Sequence, residues 1–205
     1  MTDEKALIRQ IQAGDQEAFA RLVQTYQKPV YNLCLRMVSN PTDAEDLAQE
    51  AFLKAWRGLS FYKFESSFST WLYRLTSNVC IDFLRQQKRK NTVSLTVMEE
   101  EENRELEIYD PAPVPEEKAI DSENRRAVAD AMAKLEEEYR LVLSLRVVEE
   151  LSYEQIADVL DLKVGTVKSR LARARDKLRK LLLQNGNIFG NISSKETERG
   201  RDREM

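Results

Sequence analysis

Two stretches of this chain have the residue types and spacing to handle a polyanion. Between Lys163 and Lys180 there are eight lysines and arginines and a single acid, Asp176. Projected at about 100° per residue, Val164, Val167, Leu171, Ala174, Leu178 and Leu182 form one apolar stripe. The other faces carry Lys168, Arg170, Arg173, Arg175, Lys177, Arg179 and Lys180. A merely solvated helix face mixes signs, and this one does not. The start of the helix suits a DNA major groove, with Thr166, Lys168, Ser169, Arg170 and Arg173 offered to base edges and phosphates. A solvated amphipathic helix is the competing reading.

The second stretch runs from Phe68 to Lys90. Leu72, Leu75, Val79 and Phe83 make its core side, while Trp71, Arg74, Asn78, Asp82, Arg85 and Arg89 lie together on a neighbouring face. An aromatic plane, cations and an amide on one face can stack, neutralise and hydrogen-bond an unstacked strand. Trp71 alone fits core packing equally well. Asn78 is harder to place in a helix interior, because Asn is a weak helix former that needs partners.

The elements that position these faces are helical. Leu7, Ile8 and Ile11 line a short helix that Gly14 ends, and Asp15 caps a second running through Phe19, Leu22, Val30, Leu33 and Met37, with Pro29 as a potential kink. Asn40-Pro41 reads as a turn, with Thr42 or Asp43 capping a helix through Leu47, Ala51 and Phe52. An aromatic loop, with Phe61, Tyr62 and Phe64, precedes the Phe68 helix. Further helices are expected over residues 119–135, 138–148, 153–160 and 164–183. Ser152 and Gln155 form a capping box, and Asp161-Leu162-Lys163 the turn of a helix-turn-helix.

Charge divides the chain in the same places. The 205 residues hold 32 Lys+Arg and 35 Asp+Glu, a net of −3. Resolved by segment this becomes +3 over residues 1–90, −10 over 91–138 and +4 over 139–205. Glu99 to Glu102 are consecutive acids, and Asp110-Pro-Ala-Pro-Val-Pro115 cannot be helical. The expected organisation is all-α: a first domain over 1–90, a flexible acidic extended linker over 91–118, a helix-turn-helix domain over 119–184, and a disordered tail over 185–205.

The chain has no histidine and two cysteines, Cys34 and Cys80. That excludes Ser-His and Cys-His nucleophile pairs, imidazole metal sites and a four-thiolate site, and a disulfide is not expected in an intracellular chain. There is no leader pattern at the N-terminus and no apolar run near the ~20 residues of a membrane span, so the cytosol is the expected compartment.

Four motifs in order carry a family resemblance: Gly14-Asp-Gln-Glu-Ala-Phe19, Asp43-Ala-Glu-Asp-Leu-Ala-Gln-Glu-Ala-Phe52, Phe68-Ser-Thr-Trp-Leu-Tyr-Arg-Leu75 and Val164-Gly-Thr-Val-Lys-Ser-Arg170. Over about residues 5–183 the chain resembles bacterial RNA polymerase sigma factors of the small extracytoplasmic-function (group 4) class of the sigma-70 family. The resemblance implies a non-enzymatic subunit without cofactor or small-molecule substrate, which binds core RNA polymerase and promoter DNA. It implies that Asp46, Gln49, Glu50 and Phe52 dock on the clamp helices of the polymerase β′ subunit. Trp71, Arg74, Asn78, Arg85 and Arg89 would read and melt the minus-ten element, with Asn78 beside a pocket for a flipped base. Thr166, Lys168, Ser169, Arg170 and Arg173 would read the minus-thirty-five element. The acidic linker would thread the polymerase channel, against the β and β′ subunits, and an anti-sigma factor would cover the polymerase-binding surfaces.

The loop Leu59-Ser-Phe-Tyr-Lys-Phe-Glu65 departs from the Asp-Ser-Phe-Arg-Gly run common in the family, and Asp161 and Lys163 stand where Gly and Ser or Pro are frequent. A plain helix-turn-helix repressor would explain residues 151–183 but neither the Trp71–Arg89 face nor the Asp43–Phe52 motif. A helical adaptor without a DNA role would leave the basic helix unexplained.

Overall fold

The computed structural model describes residues 2–94 and 126–184, and all the regular structure among them is helical. The first half contains α1 (Thr2–Gln12), α2 (Gln16–Val38), α3 (Pro41–Gly58), a 3-10 turn (Leu59–Phe61) and α4 (Phe68–Ser94). The second contains α5 (residues 126–133), α6 (Glu137–Val147), α7 (Tyr153–Leu160) and α8 (Val164–Gln184). The acidic linker beyond Ser94, the start of the helix expected from 119 and the tail from 185 lie outside the described residues.

Local chemistry explains most boundaries. Gly14 takes φ +102°, which releases the chain from α1, and the Asp15 carboxylate then accepts from the Ala18 amide at 3.1 Å to open α2. α2 continues through Pro29 to Val38 and ends at Ser39 in the left-handed region. The cap of α3 is Asn40, whose side chain accepts from Asp43 N at 3.1 Å, with Pro41 at the first helical position. This corrects the expectation of Thr42 or Asp43: Pro41 has no N–H to lose there, and its fixed φ starts the helix one residue earlier. α4 runs four residues past the expected boundary at 90, to Ser94. In the second half the expected capping box is present, Ser152 N donating to Gln155 Oε1 at 2.8 Å and Gln155 N to Ser152 Oγ at 3.1 Å.

Leu22, Val30, Leu33 and Met37 of α2 and Leu72, Val79 and Cys80 of α4 are fully buried, together with Ala44, Ala51 and Ala55 of α3. Alanine at that spacing removes bulk from one face of α3 and lets it lie close to its neighbours. Cys34 and Cys80 are free, buried thiols with sulfurs 3.7 Å apart. In the second half, Leu141, Val142 and Leu145 of α6 meet Ile156 and Val159 of α7 and Val167, Leu171 and Ala174 of α8.

The two halves also pack on each other, α7 against α4 and α6 against α2. Arg140 of α6 is buried, and its Nη1 donates to the Met37 carbonyl at 2.6 Å while Nη2 donates to Leu135 O at 3.0 Å. The Tyr73 hydroxyl donates to the Glu149 carboxylate, Arg74 Nη2 donates to the Asp158 carbonyl, and Lys88 Nζ lies 2.6 Å from Glu137.

Candidate nucleic-acid interface

α4 is the central element. Its buried side anchors it in the first half, and the opposite face presents Asn78, Asp82, Arg85 and Arg89 to solvent. Asp82 and Arg85 stand 3.8 Å apart, a loose and solvated pair that a competing anion can open. Arg74 sits at the edge of this face, exposed but already committed to the Asp158 carbonyl. Trp71 is half-buried, its ring centroid 5.2 Å from Tyr62 and 5.7 Å from Phe68. Packing and exposure thus coexist in that indole.

The loop before α4 is built around aromatic rings. Tyr62 OH donates to the Ser66 carbonyl at 2.6 Å, and Gln12 Nε2 holds the loop by donating to the carbonyls of Leu59 at 2.9 Å and Tyr62 at 3.0 Å. Phe64 adopts φ +62°, a conformation that is costly for a bulky L residue. Its ring lies 4.9 Å from Tyr62, with the Arg9 guanidinium 6.0 Å from its centroid, and these contacts hold it. Tyr62, Phe64 and Phe68, with Ser66 and Ser67, wall a cavity of about 470 Å³ against α1 and α2. The resemblance implies a base pocket beside this loop with Asn78 next to it; Asn78 is not among the residues lining this cavity.

Burial raises the Tyr26 phenol, whose hydroxyl donates to Glu4 at 2.5 Å, and the carboxylate adds to the effect. Burial likewise raises Tyr73, assisted by Glu149. The Cys80 thiol is pushed up first by its hydrogen bond to Cys34 and then by burial, so it stays protonated and unreactive.

On α8, Lys168, Ser169 and Arg173 are exposed and Thr166 is half-exposed. Ser169 Oγ donates to the Thr166 carbonyl at 2.9 Å. Arg170 is drawn into an ion pair with Glu138 of α6 at 3.1 Å, so it is less available than its neighbours. Lys168 Nζ lies 5.8 Å from the Tyr153 ring, a contact that orients the lysine and that sequence spacing did not reveal. Asp161 makes the turn between α7 and α8 in the left-handed region, φ 52° and ψ 52°, a conformation Asp tolerates better than most residues.

On α3, Asp46, Gln49 and Glu50 are exposed on one face, with Lys54 2.9 Å from Glu50. Phe52 points elsewhere and is half-buried against the core. The apolar residue on the face is Leu53, 55% exposed, which helical spacing from Asp46 and Glu50 would have found. Trp56 flanks it with its ring 4.8 Å from Phe19, and Phe61 beyond is 81% exposed.

Three comparisons identify this arrangement. The model of sigma-70 region 2 matches residues 22–90, and that of sigma-70 region 4 matches residues 125–178. The chain is 37% identical over 179 residues to the ECF RNA polymerase sigma factor SigW of Bacillus subtilis, covering 87% of this chain and 96% of that protein. The chain belongs to the extracytoplasmic-function sigma factors of the sigma-70 family. It is also 39% identical over 183 residues to the ECF RNA polymerase sigma-E factor of Escherichia coli K12, covering 87% of this chain and 93% of that one. The sigma factor RpoE of Bartonella quintana, solved with the anti-sigma factor NepR, shares the fold with a TM-score of 0.62 at 24% identity, over 80% of this chain and 96% of that one.

As a sigma factor the chain is a non-enzymatic initiation subunit that binds core RNA polymerase and promoter DNA. Among the described residues no helix is long and apolar enough to cross a membrane, and no group of three His, Cys, Asp or Glu is placed to hold a metal.

Proposed function

We propose the following division of labour within this sigma factor. The α3 face with Asp46, Gln49, Glu50 and the exposed Leu53 docks on the clamp helices of the polymerase β′ subunit, Phe52 supporting it from beneath. Arg74, Asn78, Arg85 and Arg89, backed by Trp71, read and melt the minus-ten element. Thr166, Lys168, Ser169, Arg170 and Arg173 read the minus-thirty-five element. The first domain spans 1–90, the helix-turn-helix domain 119–184, and the acidic segment 91–118 follows the polymerase channel along the β and β′ subunits. The protein acts in the cytoplasm with polymerase, and an anti-sigma factor restrains it, as NepR accompanies the Bartonella protein.

The observation that carries this reading is the solvent-facing row Asn78, Arg85 and Arg89 on a helix whose other side is core. Melting needs a protein that binds the separated strand better than the duplex, and cations beside an amide and an aromatic ring favour an unpaired strand. Turning one base out costs a few kcal/mol, which contacts made only to the unpaired base can return.

The test adds the purified chain to sigma-free core polymerase on a promoter library and sequences the transcript starts. Specific initiation at a shared upstream motif is expected. Asn78→Ala should impair opening at those promoters while leaving core binding unchanged; loss of core binding would assign this face to the polymerase instead.

A further inference from the structure

Few contacts hold the loop between α3 and α4. Between it and helices α1 and α2 lies the cavity of about 470 Å³, walled on the loop side by Tyr62, Phe64, Ser66 and Ser67. Close packing therefore does not fix the loop on that side, and a segment without it keeps one shape only where specific bonds hold it. Phe64 needs such support most, since φ +62° is costly for its bulk.

The support comes from α1, which lies outside residues 22–90, the stretch that matches sigma-70 region 2. Ile8 and Ile11 are buried and Glu4 accepts from the Tyr26 hydroxyl, so α1 is itself firmly anchored. Gln12 is its last residue. The Gln12 Nε2 donates to two carbonyls, Leu59 at 2.9 Å and Tyr62 at 3.0 Å, 47 and 50 residues away in the chain. A carbonyl only accepts, so the two bonds use both amide hydrogens. The Leu59 carbonyl also accepts from Tyr62 N at 3.2 Å, and Gln12 thus fastens a turn that is already closed on itself. Arg9, one turn earlier on α1, places its guanidinium 6.0 Å from the centre of the Phe64 ring.

We propose that Gln12 is a positioning residue for promoter opening, acting through the backbone of Tyr62. This rests on the assignment of α4 to the minus-ten element above. Holding the Tyr62 backbone holds its ring, which lies 5.2 Å from Trp71 and 6.1 Å from Phe68, both in the first turn of α4. Trp71 shares its face with Asn78, two turns further on. An indole backed by a fixed tyrosine offers one surface to an unpaired base. Once the turn is released, the strand must order the loop and the indole as it binds, and that cost is taken from opening. Gln12 acts on DNA only through Tyr62 and Trp71.

The test uses the full chain with core polymerase. Gln12→Met keeps the length, charge and helix preference of the side chain and removes both donors. Permanganate footprinting on a duplex promoter should show opening slowed several-fold. On a template already mismatched across the minus-ten region, the variant at saturation should initiate as well as the parent. Its affinities for core polymerase and for a minus-thirty-five duplex should be unchanged. Gln12→Lys restores donors on an unbranched stem and should recover most of the opening rate. Should Gln12→Met melt below the assay temperature, Gln12→Asn takes its place, the same amide drawn back by one carbon from both carbonyls. Opening at the parent rate, an equal loss on both templates, or no recovery with lysine overturns the inference. Asn78→Ala is measured alongside. If it also opens at the parent rate, the assignment of α4 fails; if it opens slowly while Gln12→Met does not, the role of Gln12 alone is overturned.

Discussion

Gly58→Ala probes the junction between α3, the helix proposed to face the polymerase, and the aromatic support of α4. Gly58 has φ −85°, which alanine adopts without strain, so the substitution should gain about 0.5–1 kcal/mol from backbone preference alone. Space decides otherwise. A Cβ at this position would stand 3.0 Å from Trp71 Cζ2 and 3.4 Å from Cη2. Ordinary carbon contacts lie near 3.5–4.0 Å, so the indole would have to retreat by about half an ångström. It is poorly placed to do so, with Tyr62 at 5.2 Å and Phe68 at 5.7 Å between ring centroids. Overpacking of this kind costs about 1–3 kcal/mol, leaving a net loss of roughly 0.5–2 kcal/mol. For a chain of this size the melting temperature should fall by about 1–8 °C. Thermal unfolding followed by circular dichroism measures it, and promoter opening should slow while minus-thirty-five duplex affinity is unchanged. A melting temperature that rises would refute the reasoning, because it would mean the indole yields freely.

Three further outcomes are expected. Leu53→Asp should weaken core polymerase binding more than tenfold by titration, with little change in melting temperature, since Leu53 is 55% exposed and carries little of the core; an unchanged affinity would remove Leu53 from the docking face. Arg173→Ala should cost ~1–3 kcal/mol on a minus-thirty-five duplex if it reads a base, and affinities for scrambled duplexes should then converge. A uniform loss on every sequence, with a shallower salt dependence, would make it a phosphate contact instead. Stability should also decline as pH rises above about 9. Cys80, ordinarily near 9.0, and Tyr26 and Tyr73, ordinarily near 10.0, are all raised in the folded chain, so the unfolded state releases these protons first. The unfolded chain then binds fewer protons than the folded one, so the slope of unfolding free energy against pH is negative there. Urea midpoints between pH 8 and 10.5 measure it, and a flat profile would show that these groups are not held protonated.

Much of the site was legible because it lies on helices. A helix repeats every 3.6 residues, so the spacing of Trp71, Asn78, Arg85 and Arg89, or of Asp46, Gln49 and Glu50, already places each set on one face. The capping box at Ser152 and Gln155 and the cap at Asp15 were readable for the same reason, since both act within one turn. The misplaced start of α3 was also a local matter, decided by Pro41 at the first helical position.

What the sequence by itself determined is therefore whatever depends on short range: the helical class, the order of the two DNA-facing units, the acidic stretch between them and the residues sharing each face. The tertiary structure decided the contacts between residues far apart in the chain. Phe64 was held in a left-handed conformation by Tyr62 and Arg9. Arg74 was given to Asp158, 84 residues away, and Arg140 to Met37, 103 residues away. No periodicity encodes such pairings. They arise from the shape each half presents to the other, and closing a long loop costs entropy that only the summed contacts of a folded interface can offset.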